Sequence, residues 1–149
     1  MTSDGISDSD WETVRNLSAK VAQAQCAGCD AESDSHAREL LRYLAVLEAK
    51  YGATASILAT RADYVDDRAE RIRLLELAWN VAKERSDWAN CVFTSSSLAV
   101  AYIEELGSIS KGIKWLRVFE ESLEHYWDDD EHNEMLRLRK LIDQIGGKP

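Results

Sequence analysis

The chain has almost no proline and little glycine. Its single proline is Pro149, and only seven of its 149 residues are glycine. Proline and glycine are the residues that most disfavour helix interiors, so their scarcity leaves long stretches of the sequence free to be helical. The sequence therefore predicts an all-α fold.

Long apolar runs and a leader-like start are also missing. No apolar run approaches the roughly 20 residues that a membrane-spanning helix needs. The first ten residues have neither a basic start nor an apolar stretch, unlike a secretory signal. We expect a cytoplasmic protein without membrane contact, in which residues 1–8 form a disordered tail and residues 9–149 form a single domain.

Positive charge is scarce. Lys and Arg total 18 against 27 Asp and Glu, which gives a net charge of −9. Nucleic-acid binding needs cations that displace phosphate counterions, so the charge balance argues against that class of partner. An acidic surface keeps a protein soluble, and it also attracts a basic partner.

Cysteine and histidine each occur only three times. Cys26 and Cys29 have the spacing of half a zinc site or of a redox pair. No second pair supplies the missing ligands, and we interpret them as incidental thiols in a loop between helices. His125 and His132 flank Asp128-Asp-Asp130, but a carboxylate run at a helix start is more typical of a cap. We therefore expect no metal and no cofactor.

Motifs of catalysis are not apparent. The chain has no Gly-x-Ser-x-Gly sequence and no phosphate-binding glycine loop. The hydroxyl cluster Thr94-Ser-Ser-Ser97 has no His or Asp at helical spacing to activate it. Glu104-Glu105 and Glu120-Glu121 are typical of solvated helix faces. The sequence predicts a protein that is not an enzyme.

Apolar residues recur at steps of three and four, which is the period of an amphipathic helix. Val14, Leu17 and Val21 show this pattern near the start, and Met135, Leu138 and Ile145 show it near the end. Short polar turns between such segments predict antiparallel neighbours. We predict seven helices, over about residues 11–25, 35–51, 53–65, 67–85, 88–106, 111–127 and 131–145.

Parts of the sequence repeat. Ser56-Ile-Leu-Ala59 recurs as Ser96-Ser-Leu-Ala99, and Ile72-Arg-Leu-Leu-Glu-Leu-Ala-Trp79 recurs as Leu116-Arg-Val-Phe-Glu-Glu-Ser-Leu123. A Leu-Ala-x-x-Tyr helix, a turn and a Phe-Glu-x-small-Leu helix resemble a tetratricopeptide repeat of the variety with longer helices. The resemblance covers units at about 53–85 and 88–127, and 131–145 resembles the helix that caps such arrays.

The sequence also departs from the family pattern. Lys111 and Gly112 stand near the usual family Ala, and the family's Pro after each second helix is missing.

The resemblance implies a right-handed superhelix of antiparallel helix pairs that binds other proteins. The first helix of each pair would line its concave face. This face lacks the Lys, Arg and Asn residues with which some family members clamp peptide carboxylates, so it suits a basic or polar segment better. We expect partner contacts at Ser56, Thr60, Asp63, Phe93, Ser96, Val100 and Glu104, with Asp128, Asp129 and Asp130 adding charge at one end.

The tryptophans divide into two groups. Trp79 and Trp115 fall on apolar stripes, so we expect them in the core. Trp88 and Trp127 lie near helix ends beside acidic residues, where an exposed Trp would suit a binding hot spot. Core or partly buried positions are nevertheless more typical of such residues.

The leading hypothesis is an acidic inhibitor or immunity-type protein that neutralises a basic bacterial toxin or effector, because charge complementarity speeds association. An adaptor or secretion-chaperone-like scaffold that holds a partner segment is the first alternative. A metal or redox protein centred on Cys26 and Cys29 is the second. The expected oligomeric state is a monomer or a weak homodimer.

Overall fold

A computed structural model describes residues 1–146, so residues 147–149 of the predicted domain lie outside the described residues. Within residues 1–146 the secondary structure is entirely helical, which confirms the all-α prediction with seven α-helices. None of these helices is long and apolar enough to cross a bilayer. The helices are α1 (Asp8–Cys26), α2 (Asp30–Tyr51), α3 (Ala55–Asp63), α4 (Arg68–Glu84), α5 (Trp88–Val100), α6 (Ile109–His125) and α7 (Asp129–Gly146).

Capping residues fix several of these boundaries. The Asp67 carboxylate accepts a hydrogen bond from the backbone N–H of Ala69 at 3.1 Å, at the start of α4. Asp128 does the same for Glu131 at 2.9 Å, at the start of α7. Such bonds satisfy N–H groups that have no partner inside the helix. Gly52 ends α2 with a φ of 86°, a backbone conformation that L side chains rarely adopt.

Consecutive helices contact one another from α1 to α7, and α7 also packs on α5. Two pairs of corresponding positions in the second helices of the sequence repeat are buried in both units. Leu75 and Phe119 are buried, and so are the small residues Ala78 and Ser122. These four residues therefore belong to the buried faces of α4 and α6.

The last helix covers the apolar sides of α5 and α6. Met135 and Leu138 are buried there, and Leu141 and Ile142 pack against the same cluster. Ile145 is 47% exposed, although the apolar period predicts it on the buried stripe. The buried stripe of α7 thus ends one turn earlier than its apolar pattern.

The first residues of the chain fold onto the helices, whereas the sequence predicts a disordered tail over residues 1–8. Ile6 is fully buried in the core formed by α1, α2 and α3. The Asp4 carboxylate accepts hydrogen bonds from the backbone N–H and the hydroxyl of Ser56, at 2.7 and 2.9 Å. Asn90 donates to the Ser3 hydroxyl at 3.1 Å. The buried Ile6 side chain and the hydrogen bonds of Asp4 to the start of α3 thus hold residues 1–6 against the helices.

A π-helical segment, Ala101–Glu105, continues α5. The sequence predicts an ordinary α-helix there. Ile103 of this segment is buried and packs against Gly112 of α6, which has no side chain to hold the two backbones apart. The resulting close approach also brings α6 beside Tyr102, the residue before Ile103.

Candidate protein-binding surface

Four of the ten predicted contact residues line one groove between α3 and α5. They are Ser56, Thr60 and Asp63 on α3 and Phe93 on α5. The cavity measures about 190 Å³. We call it the α3–α5 groove, and its remaining lining residues are Trp11, Ala59, Leu75, Asn90 and Ser97.

The α3–α5 groove is small, partly aromatic and rich in hydroxyl groups. Phe93 is 40% exposed on its wall. Asp63 is exposed as a residue, but partial burial of its carboxylate raises the pKa of that group, and the positive charge of Arg71 opposes this shift. The Ser56 hydroxyl already donates to Asp4, so the N-terminal segment closes one end of the groove.

Three other predicted contact residues face α7 instead of an open surface. Ser96 is buried beside Glu131. Val100 packs against the core cluster that contains Leu138. Glu104 forms an ion pair with Arg137. Ser96 is thus buried and Val100 partly buried, because α7 packs on that half of α5, and both are less accessible than the residues that line the α3–α5 groove.

The three consecutive aspartates lie at the start of α7. Asp128 caps the helix, as the sequence indicates. Asp129 is exposed and accepts a hydrogen bond from the indole Nε1–H of Trp127 at 2.8 Å. Asp130 is exposed. Asp129 and Asp130 are therefore accessible to a partner, whereas Asp128 is engaged in holding the helix.

Exposed aromatic rings adjoin these aspartates. The rings of Phe93 and Tyr126 meet edge to face, with centroids 6.2 Å apart and planes at 66°. Trp127 follows Tyr126 and is 59% exposed, and its ring lies 4.4 Å from that of His132. We call Phe93, Tyr126 and Trp127 the aromatic edge. The expectation of a buried or partly buried Trp127 is wrong, because the residue lies in the connection between α6 and α7.

Carboxylates are frequent in the sequence around Tyr126 and Trp127. No Lys or Arg occurs between Arg117 and Arg137. The acidic residues of this interval are Glu120, Glu121, Glu124, Asp128, Asp129, Asp130, Glu131 and Glu134. Glu120 and Glu134 pair with arginines of α7, which leaves a local excess of negative charge.

The partly buried Glu131 responds to this charge. Its pKa is raised first by burial and then by the neighbouring carboxylates of Asp128, Glu134 and Asp130, while Ser96 opposes the shift. Burial is thus the main cause of the raised pKa of Glu131, and the neighbouring carboxylates add to it.

Trp88 behaves differently from Trp127. Its ring stacks on that of His125 at 3.9 Å, and the ammonium group of Lys83 lies 4.6 Å from its centre. The side chain is half-buried, in agreement with the expectation for this residue. The Trp88 ring thus already packs against groups of its own chain and is less available than Trp127 for contact with another molecule.

The cysteines and the hydroxyl cluster, which the sequence analysis considered for metal binding or catalysis, do not form such a site within residues 1–146. Cys26 ends α1 and Cys29 precedes α2; both residues are exposed, and they are not joined in a disulfide. Within residues 1–146, no three His, Cys, Asp or Glu side chains come together as metal ligands. The hydroxyls of Thr94 and Ser95 donate to backbone carbonyls one turn earlier, at 2.6 and 2.5 Å. These hydroxyls are therefore engaged with the helix itself.

The chain matches no family model, no curated protein and no solved structure. The class that the described residues define is an all-α protein with a polar groove and an acid-rimmed aromatic edge on its surface.

Proposed function

We propose that this chain is a protein-recognition module whose aromatic edge and adjoining carboxylates bind a basic segment of another protein. The exposure of Trp127 carries the proposal. This large ring is 59% exposed, and residues 118–136 contain eight carboxylates but no Lys or Arg. Arg139 of α7 borders the same pocket as the ring, but it is paired with Glu120. Tryptophan is among the residues that dominate binding energies at protein interfaces.

The geometry of Trp127 favours binding over simple exposure. The hydrogen bond to Asp129 and the contact with His132 hold the ring in one position before a partner arrives. A pre-positioned side chain loses less conformational entropy on association. The surrounding negative charge would accelerate the approach of a basic segment and disfavour acidic competitors.

The α3–α5 groove would extend the contact. Phe93 belongs both to the wall of this groove and to the aromatic edge. An extended segment anchored on Trp127 would thus continue past Phe93 toward Thr60 and Asp63. We further propose that the pairs α3–α4 and α5–α6 stack antiparallel, in a right-handed array like that of tetratricopeptide repeats.

The most specific form of the proposal is an inhibitor or immunity-type protein that neutralises a basic bacterial toxin or effector. A small acidic domain that associates rapidly with a basic enzyme suits that role. The second candidate is an adaptor that holds an extended partner segment, which the α3–α5 groove favours because its wall includes Phe93 of the aromatic edge. An inhibitor would abolish its partner's activity, whereas an adaptor would leave it intact.

Affinity capture with matched variants tests this function. Three immobilised chains would serve as bait for a lysate of the source cells at low salt: the wild type, Trp127→Ala and Val46→Ala. Mass spectrometry would identify the proteins that each bait retains. Val46 is 60% exposed on α2 and serves as the control for loss of an exposed apolar side chain. Circular dichroism would establish that all three chains are folded.

We expect the wild-type chain and Val46→Ala to retain the same basic protein, and Trp127→Ala to lose most of it. High salt should reduce its capture, because exposed charge interactions are screened. Capture of no basic protein, or equal capture by all three chains, would count against the proposal.

A further inference from the structure

A second groove lies between α4 and α6, and the proposed recognition of a basic segment does not use it. Its cavity measures about 430 Å³, within the range of about 300–1,000 Å³ typical of small-molecule sites. Trp79, Tyr102 and Trp115 supply its aromatic lining, and Lys111 and Lys114 supply positive charge. We call it the α4–α6 groove.

The aromatic lining is partly open. The sequence predicts Trp79 and Trp115 in the core, but both are only partly buried and border the groove. Their rings meet edge to face, with centroids 5.3 Å apart and planes at 83°. The Nε1–H of Trp79 is buried and has no acceptor within residues 1–146. The groove thus has a broad aromatic wall and an unsatisfied donor on one of its rings.

Tyr102 and Glu76 form a fixed polar pair in the groove. The Tyr102 hydroxyl donates to the Glu76 carboxylate at 2.9 Å. Burial, together with this bond to a carboxylate, raises the pKa of Tyr102, which keeps the hydroxyl protonated as a donor. The Tyr102 hydroxyl thus orients the Glu76 carboxylate, and Lys111 and Lys114 outnumber this single acidic residue in the lining of the groove.

The two lysines are exposed, and neither forms an ion pair within the described residues. The Lys111 ammonium lies 5.6 Å from the centre of the Tyr102 ring. In a chain with a net charge of −9, this is a local site of positive charge beside aromatic rings. An acid group entering the groove would thus meet two available cations.

The backbone here departs from a regular helix. Tyr102 belongs to the π-helical segment Ala101–Glu105, and Gly112 allows α6 to approach that segment closely. This approach places Lys111, the neighbour of Gly112, over the Tyr102 ring. Short π-helical segments are uncommon and often occur at functional sites.

We propose that the α4–α6 groove binds a planar aromatic acid. The ring would pack against Trp79 and Trp115, because aromatic pairs prefer such offset or edge-to-face contacts. The acid group would pair with the ammonium groups of Lys111 and Lys114, which are compact point charges on flexible stems. This site is separate from the aromatic edge, and its occupancy does not depend on the protein partner.

Three matched probes separate the parts of this proposal. Indole-3-acetate is a planar aromatic acid, indole-3-acetamide is its neutral counterpart, and cyclohexylacetate is an acid without an aromatic ring. Each would be titrated into the ¹⁵N-labelled chain, with the indole N–H signals of its five tryptophans observed by NMR. Trp→Phe variants would assign the signals.

We expect indole-3-acetate to shift the signals of Trp79 and Trp115 to saturation, while those of Trp11, Trp88 and Trp127 remain in place. The amide and cyclohexylacetate should each bind about fivefold more weakly or worse, since each lacks one of the two contacts. Equal binding of acid and amide would overturn the assigned charge contact. No saturable shift of either signal up to about 10 mM, where even millimolar affinity is visible, would overturn the site.

A lysine variant completes the test. The double change Lys111→Gln and Lys114→Gln should weaken indole-3-acetate binding about fivefold and leave binding of the amide unchanged, because only the ion pairs are lost. Lys140→Gln, an exposed lysine on α7, is the control and should bind like the wild type. Unchanged affinity of the double variant would contradict the proposed contacts, and unmoved signals of the other tryptophans would establish that it is folded.

Discussion

Gly112 of α6 and Ile103 of the π-helical segment pack so closely that a Cβ atom on Gly112 would lie 2.3 Å from Cγ1 of Ile103. The Ile103 side chain is buried and has little room to move aside. The glycine is therefore required by the packing between the end of α5 and the start of α6.

Gly112→Ala should destabilise the fold. Overpacking a buried contact costs about 1–3 kcal/mol, which outweighs the roughly 1 kcal/mol by which Ala favours a helix over Gly. We expect a lower Tm by differential scanning calorimetry. Gly146→Ala is the matched control, since an added Cβ there meets nothing, and its Tm should be unchanged or slightly higher. A Gly112→Ala chain as stable as the wild type would show that the contact relaxes freely.

The fully buried Ile6 should make the N-terminal segment part of the cooperative fold. Ile6→Ala removes core packing and leaves a cavity, which costs about 2–5 kcal/mol in free energy of unfolding. Urea denaturation would measure the loss. Ile145→Ala, at a side chain that is 47% exposed, should change stability by no more than about 0.5 kcal/mol. Equal effects of the two substitutions would mean that residues 1–6 do not belong to the core.

Much of this fold could be predicted from local sequence. The three- and four-residue period identified all seven helices, because a buried helical face needs it regardless of what it packs against. Gly52 and Asp67 marked helix ends through their own backbone and capping chemistry. The sequence did not indicate that the N-terminal segment is ordered. Ile6 is a single buried residue and forms no periodic apolar pattern, and Asp4 accepts its hydrogen bond from Ser56 of α3, which lies far along the chain.

The surface was less predictable than the helices. The repeat pattern led to Thr60, Asp63 and Phe93, which do line one groove. It did not indicate that α7 would pack on Ser96 and Val100. The spacing of apolar residues shows which face of a helix is buried, but it does not show which other helix packs against that face. For Trp127, its position between a helix end and three aspartates was the signal of exposure.

Cysteine reactivity should differ sharply along the chain. Cys91 is fully buried, and burial, with Asp87 adding to it and Lys83 opposing, raises its pKa to about 11. Thiolates are the reactive form, so Cys91 should be inert at neutral pH. Cys26 and Cys29 are exposed. Titration of the reduced native chain with Ellman's reagent should detect two thiols and, after denaturation, a third. Three fast-reacting thiols in the native chain would contradict the buried position of Cys91.

Glu131 should make stability depend on pH. Its raised pKa means that the folded chain binds this proton more tightly than the unfolded chain. Protonation of Glu131 thus stabilises the folded chain fully below pH 4.5, the ordinary pKa of a glutamate. This stabilisation is lost as the pH rises through the higher pKa that Glu131 has in the folded chain. Glu131→Gln imitates the protonated form, so its Tm should exceed that of the wild type at pH 7, and the difference should shrink toward pH 4.5.

Glu121→Gln, at an exposed position on α6, is the matched control for removal of a carboxylate. It should change the Tm little at either pH. If Glu131→Gln lowered the Tm at pH 7, the carboxylate would be stabilising the fold there, opposite to the predicted sign.

The affinity of Trp127→Ala for the captured basic partner tests the central claim most directly. Isothermal titration calorimetry would compare it with the wild type and with Val46→Ala at the same salt concentration. We predict a loss of at least about tenfold for Trp127→Ala, equivalent to roughly 1.4 kcal/mol, and no change for Val46→Ala. Equal affinity of all three chains would contradict the proposed role of the aromatic edge.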